Sequence, residues 1–230
     1  LFFYWVNIDL YPNVSTSHLL EMLAGGLRFD LTALLYLNSL YLLLVLLPLP
    51  ATVRNHKKYL CTAKWAFWIP NIIGFIVNCM DIVYVRFTDR RTTCTIFTEF
   101  QNDDNLANII GQSMWQYWYV TAFGILMITL FIVCTRKNWE VKPRRKTWVY
   151  YLVETALMLV TIYFVVIGIR GGFGKYTRPI TISNAMQYTN TPQETAILLN
   201  TPFSLMKSLE NTTYVHPHYF SNEEAEQLFS

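Results

Sequence analysis

The order of apolar and polar residues divides this chain into long greasy runs joined by polar loops. Residues 31–49 are apolar apart from Thr32, Asn38, Ser39 and Pro48, and comparable runs occupy about 65–85, 114–134 and 148–169. A helix of about 20 residues rises about 30 Å, the thickness of a bilayer core. A helix buried in a soluble core could be as apolar, but four such runs in 230 residues leave too little polar chain to surround them. The opening LFFYWV, residues 1–6, reads as the end of a further apolar segment. The pattern therefore predicts an all-α integral membrane fold, a bundle of about five transmembrane helices with the first one truncated. The paired glycines Gly25 and Gly26 open the stretch ahead of the 31–49 run, with Arg28 and Asp30 at the mouth of that span.

The pattern changes after Gly168. Residues 1–170 form the transmembrane domain, and 171–230 read as a linker leading towards a further domain. Thr191-Pro192-Gln193-Glu194 carries a capping-box signature and predicts a short helix to about Leu199. Asn200-Thr201-Pro202 restarts a helix to about Leu209, and Ser221-Asn222-Glu223-Glu224 repeats the capping pattern. Such short helices cannot bury a core of their own and need a surface to dock on.

Charge adds an orientation. Arg54, Lys57, Lys58 and Lys64 follow the first full span, and Arg136, Lys137, Lys142, Arg144, Arg145 and Lys146 precede the last, so ten of the eighteen basic residues fall on one side. In the alternate loop Arg86, Arg90 and Arg91 are offset by Asp89, Glu99, Asp103 and Asp104. The positive-inside rule puts the two basic loops in the cytoplasm and the tail outside, in a multi-pass protein of the cytoplasmic membrane. Trp65, Trp68, Trp115, Trp118, Trp139 and Trp148 fall at the predicted span ends, where amphipathic rings settle at headgroup level.

A composition of 53% hydrophobic and 14% charged residues excludes an ordinary soluble domain, and a net charge of +3 confined to loops argues against a nucleic-acid surface. The four cysteines show no CxxC pairing; three lie in or beside apolar runs and read as thiols facing lipid. His216-Pro217-His218 lacks a third ligand at usable spacing, and no Ser-His-Asp set or phosphate loop occurs, so no catalytic or metal-ligating residue is assigned. Asn13-Val14-Ser15 and Asn211-Thr212-Thr213 match the glycosylation tripeptide.

Polar residues inside spans are costly and draw attention. Asn71, Gly74, Asn78 and Asp81 fall within about 80° on a helix, and Thr147, Glu154, Thr161 and Gly168 recur every seven residues on one face. Helix packing accounts for small and amide residues at such positions; Asp81 and Glu154 each require a partner. Arg28, Asp30, Asp81, Arg86, Arg90 and Arg91 all lie near the outer interface in this topology. They define either an interhelix polar cluster, with Arg28 facing Asp81, or a site for an anionic lipid headgroup.

Gly26-Leu27-Arg28-Phe29-Asp30-Leu31, Asn78-Cys79-Met80-Asp81 followed by Arg86-Phe87-Thr88-Asp89-Arg90-Arg91, and the tail elements Arg178-Pro179-Ile180, Ser183-Asn184-Ala185 and Leu199-Asn200-Thr201-Pro202-Phe203 carry a resemblance. In order and spacing they resemble the membrane domain and linker of the lipoteichoic acid synthase family, the phosphoglycerol transferase-like sulfatases. The resemblance implies an extracytoplasmic α/β catalytic domain beyond residue 230. There a divalent metal (Mn, Mg or Zn) would activate the nucleophile, with no cofactor in the present residues. The expected partners are membrane lipids, above all an anionic phospholipid donor, and the chain's own catalytic domain. The resemblance leaves sulfatase or phosphoethanolamine transferase chemistry open. A small transporter or membrane sensor is the alternative from another class, set against by the lack of an internal repeat.

Overall fold

The computed structural model describes residues 1–96, 112–113, 115–137, 147–172, 174 and 178–210. Among them every regular element is a helix: α1 (Phe2–Val6), α2 (Thr16–Leu37), α3 (Ser39–Leu46), α4 (Ala51–Arg54), α5 (Lys57–Thr88), α6 (Trp118–Thr135), α7 (Thr147–Arg170), α8 (Thr195–Leu198) and α9 (Thr201–Glu210), with 3-10 turns at Ile8–Leu10 and Ile182–Tyr188. Among the described residues three helices, α5, α6 and α7, are long and apolar enough to cross a membrane; α2 and α3, bent by 59° where they join, make a fourth span if counted together. The chain is a helical, multi-pass membrane protein.

The helices pack in the order α6, α5, α2–α3, α7, so α5 and α2–α3 occupy the middle. Trp148–Arg170 has none of its most apolar window buried, as expected of a helix whose flank faces lipid. We call the end carrying α4 and the start of α5 the basic end, and the opposite one the arm end.

The first full span departs from expectation. Its helix begins at Thr16, with the Ser15 hydroxyl accepting from His18 N at 3.3 Å, and not near residue 31. Gly25 and Gly26 are buried inside α2, where a Cβ on Gly25 would meet the Tyr188 ring at 2.7 Å and one on Gly26 the Leu198 carbonyl at 3.1 Å. The missing side chains let the tail lie against the helix. A break does occur, at Asn38, where the chain re-aims α3 towards α5 and α7.

α5 starts at Lys57, eight residues ahead of the expected boundary, and carries Pro70, whose ring nitrogen cannot donate to the carbonyl of Ala66. α6 and α7 lie within a few residues of their expected bounds. α7 stops at Gly171, whose positive φ of 76° ends the helix while its amide caps back onto Ile167 O.

The tail docks on the bundle. The 3-10 turn Ile182–Tyr188 and α8 lie on α2, and α9 packs against both α2 and α5. The main core forms there: Tyr11, Met22, Phe29 and Ala33 meet Ile180, Ala185, Ile197, Leu198, Leu199 and Phe203. Phe29 and Phe203 are fully buried, edge to face with centroids 5.1 Å apart. Burial of each such ring contributes about 1.5–3 kcal/mol. α9 starts at Thr201 as expected, whereas α8 is a single turn. The expected cap at Ser221–Glu224, together with His216, His218 and Asn211, lies outside the described residues.

Candidate functional site

The polar face of α5 is where the tail is fastened. Asn71, Gly74, Asn78 and Asp81 each meet the α2–α3 unit or α9. Asn71 and Asn38 exchange hydrogen bonds, Asn71 Nδ2 donating at 2.7 Å and Asn38 Nδ2 at 3.3 Å, which stabilises the bend between α2 and α3. A Cβ on Gly74 would meet Leu37 at 3.3 Å and Pro202 at 3.6 Å. Asn78 Oδ1 accepts from Thr201 N at 3.1 Å, satisfying an N-terminal amide of α9.

Asp81 is the centre of the site and is fully buried. One carboxylate oxygen accepts from Arg91 Nη1 at 3.0 Å and Thr201 Oγ1 at 2.8 Å. The other accepts from Thr92 N at 2.9 Å and from the Thr92 hydroxyl. Four donors fill the four acceptor positions of a carboxylate. Arg91 lies over the Phe3 ring at 3.8 Å and donates through Nε to Ala196 O at 2.8 Å. One ion pair thus joins α1, α5, the chain after α5, α8 and α9. A buried charge pair holds only when its remaining donors and acceptors are satisfied, and here they largely are.

The expected facing of Arg28 and Asp81 is not found; Asp81 takes Arg91 instead. Arg28 turns to the α7 exit and the tail, with Nη2 donating to Gly171 O at 2.5 Å and Nη1 to Tyr188 OH at 3.1 Å. Asp30 Oδ1 accepts from Asn200 Nδ2 at 2.5 Å, while Asn200 Oδ1 accepts from Phe203 N at 2.9 Å. Arg86 serves α1, donating to Asn7 Oδ1 at 2.9 Å and Val6 O at 2.5 Å, with Asp9 at 3.9 Å. Arg90 is exposed beyond the end of α5. Asp81 and Arg91 thus share one fastening, while Arg28, Asp30 and Arg86 each fasten a different part of the chain.

Two other groups belong to the arm end. Lys207 is buried, its ammonium 3.3 Å from Tyr36 OH. Glu194, also buried, accepts from Asn190 N at 2.7 Å and lies 3.2 Å from His18 Nε2. Burial pushes the Glu194 carboxyl up, but the amides of Asn190 and Thr191 together with His18 bring it below its ordinary pKa. Burial pushes the Tyr11 phenol up to about 12.

Glu154 sits at the basic end and pairs with Arg54 at 3.4 Å. Arg54 also donates to Tyr150 OH at 2.9 Å and to Val45 O. Tyr150 OH donates to Leu49 O at 3.1 Å, and Tyr59 OH to Leu44 O at 2.5 Å. These side chains satisfy carbonyls at the C-terminal end of α3 and, at Leu49, just beyond it, where Pro48 and Pro50 prevent the helix from continuing.

Thr92, Thr201, Asn200, Tyr188 and Ala196 were not among the residues singled out as the site. The Asn200-Thr201-Pro202 start signal located α9 but not its partner. Among the described residues no three His, Cys, Asp or Glu side chains come together as metal ligands.

No family model matches the chain, and no solved structure matches it. It is 30% identical over 123 residues to serpentine receptor class epsilon-38 of Caenorhabditis elegans. That stretch is 51% of this chain and 34% of the receptor, so the chain spans about a third of the length of this curated relative.

Proposed function

We propose that the chain is the membrane anchor and positioning segment of a sulfatase-like transferase of phosphoglycerol, or a related headgroup, from lipid donors. The observation that carries this reading is the fastening of the tail to Asp81. A loosely tethered soluble domain needs no such attachment. A domain that must meet a headgroup at fixed height above a membrane does, because geometry held in advance removes orientational freedom from the reaction. In this reading the basic loops are cytoplasmic, the tail emerges on the far side of the cytoplasmic membrane, and the catalytic α/β domain with its metal follows the tail. Sulfatase and phosphoethanolamine transferase chemistry share the same anchor.

The test uses the parent protein in membranes. Arg91→Ala lowers turnover of a membrane phospholipid donor while hydrolysis of a water-soluble ester by the same protein stays at the wild-type rate. Equal losses in both assays, or none in either, would overturn the positioning role. Topology is read separately: in a background without native cysteines, Gln187→Cys reacts with an impermeant thiol reagent on intact cells. A second reading, a membrane receptor, is favoured by the 30% identity to a serpentine receptor. It predicts no lipid transfer or ester hydrolysis by the parent.

A further inference from the structure

At the basic end, on the face of α5 away from the tail, Leu40 of α3 and Lys58, Cys61, Thr62, Trp65, Ala66, Ile69 and Pro70 of α5 line a groove of about 680 Å³. From Lys58 onward the α5 residues recur as adjacent pairs every four positions (61/62, 65/66 and 69/70), so they form one continuous stripe along the helix. The groove is open along its side rather than enclosed, as a lipid-facing surface would be. Leu40, Trp65 and Ile69 are each at least half exposed, with relative accessibilities of 55%, 52% and 50%.

The lining is polarised along its length. Along α5 its lining is apolar at Ile69 and Pro70 and basic at the other end, at Lys58. Of the neighbouring cations, Arg54 is paired with Glu154 and Lys64 donates to Arg136 O at 2.6 Å. Lys58 is exposed and has no acidic partner among the described residues. The twelve residue steps from Lys58 to Pro70 rise about 18 Å at about 1.5 Å each. Half of a bilayer core is roughly 15 Å, so the groove matches one leaflet with its cation at headgroup depth.

We propose that this groove holds an anionic phospholipid from the leaflet facing the basic loops. One acyl chain lies along Leu40, Trp65 and Ile69, and the phosphate pairs with Lys58. The bend at Asn38 opens the space by carrying α3 off the line of α2, and Trp65 supplies the amphipathic ring at the interface. The site is separate from the arm end and stands whichever function the chain serves.

Quenching of tryptophan by brominated lipid tests it on the full chain in nanodiscs. At equal mole fraction in phosphatidylcholine, brominated phosphatidylglycerol quenches in preference to brominated phosphatidylcholine. The preference is about fivefold, the size expected of one lysine at an anionic surface. Trp65→Phe removes the excess, which assigns it to the groove. Lys58→Gln reduces it to the phosphatidylcholine level, Lys58→Arg keeps it, and Lys57→Gln leaves it nearly unchanged. Salt at 1 M, where screening acts over about 3 Å, weakens it in the wild type without any substitution. Equal quenching by the two lipids, or an excess that survives Lys58→Gln, overturns the proposal. So does an excess lost equally in Lys57→Gln, which would mark general attraction to the basic end.

Discussion

The two ends of the bundle handle buried charge differently. At the arm end, Asp81 and Arg91 are almost wholly removed from solvent, at 0% and 9% exposure, and protein groups satisfy the carboxylate completely. At the basic end the Arg54 and Glu154 side chains keep 11% and 21% exposure, and much of their work is to cap a helix that prolines have cut short. The first arrangement attaches a segment remote in sequence; the second repairs a local break. A charge pair becomes a long-range fastener only where packing excludes water on every side, since water otherwise competes for each of its hydrogen bonds.

The comparison breaks most sharply at Arg91. Arg91→Ala leaves the Asp81 carboxylate buried without its cation, and the tail should lose about 3–5 kcal/mol of docking free energy. The readout is exchange protection of the amides of 195–205, expected to fall far more than protection within α7. Protection lost equally in both segments would mean that the bundle and tail unfold as one unit.

Gly26→Val is next. A side chain at that position meets the Leu198 carbonyl, and overpacking of this kind costs about 1–3 kcal/mol. Reactivity of a cysteine placed at exposed Gln187 should rise, while the helix content by circular dichroism stays unchanged. Arg54→Gln loses a charge-assisted contact at a partly solvated site and should cost about 1.5 kcal/mol in thermal unfolding. A double-mutant cycle with Glu154→Gln isolates the pair; a coupling as large as that of Arg91 with Asp81→Asn would erase the contrast between the ends.

The smallest expected effect is that of pH on Glu194. Its folded pKa is depressed, so its contribution is present above the ordinary glutamate pKa and is lost as pH falls through the lowered value. Protection of the amides of 190–199 should therefore decline towards acid, and Glu194→Gln should flatten that dependence. An unchanged slope would assign the acid sensitivity to other groups.

The apolar runs located α5, α6 and α7 because about 20 lipid-compatible residues in sequence are themselves the requirement for crossing a bilayer. The first full span was only half legible. Residues 16–30 are amphipathic rather than greasy, since one face of that half of α2 is covered by the protein's own tail, and Gly25-Gly26 carries the same signal in a turn as in a helix contact. The periodicity that set Asn71, Gly74, Asn78 and Asp81 on one face was readable along a single helix. Their partners were not, because Thr201 lies 120 residues from Asp81 and nothing local links the two. The sequence reading faced Asp81 with Arg28, and spacing along the chain did not single out Arg91.

The sequence alone determined that the chain is a set of membrane-length helices with cationic connectors on alternate loops, because the hydrophobic effect and the cost of an unpaired peptide group in lipid act on each segment separately. Only the tertiary structure decided which cation neutralises Asp81, where the tail lies, and why two glycines stand inside a helix. Those outcomes depend on distances of about 3 Å between segments far apart in the chain, which no pattern along one segment encodes.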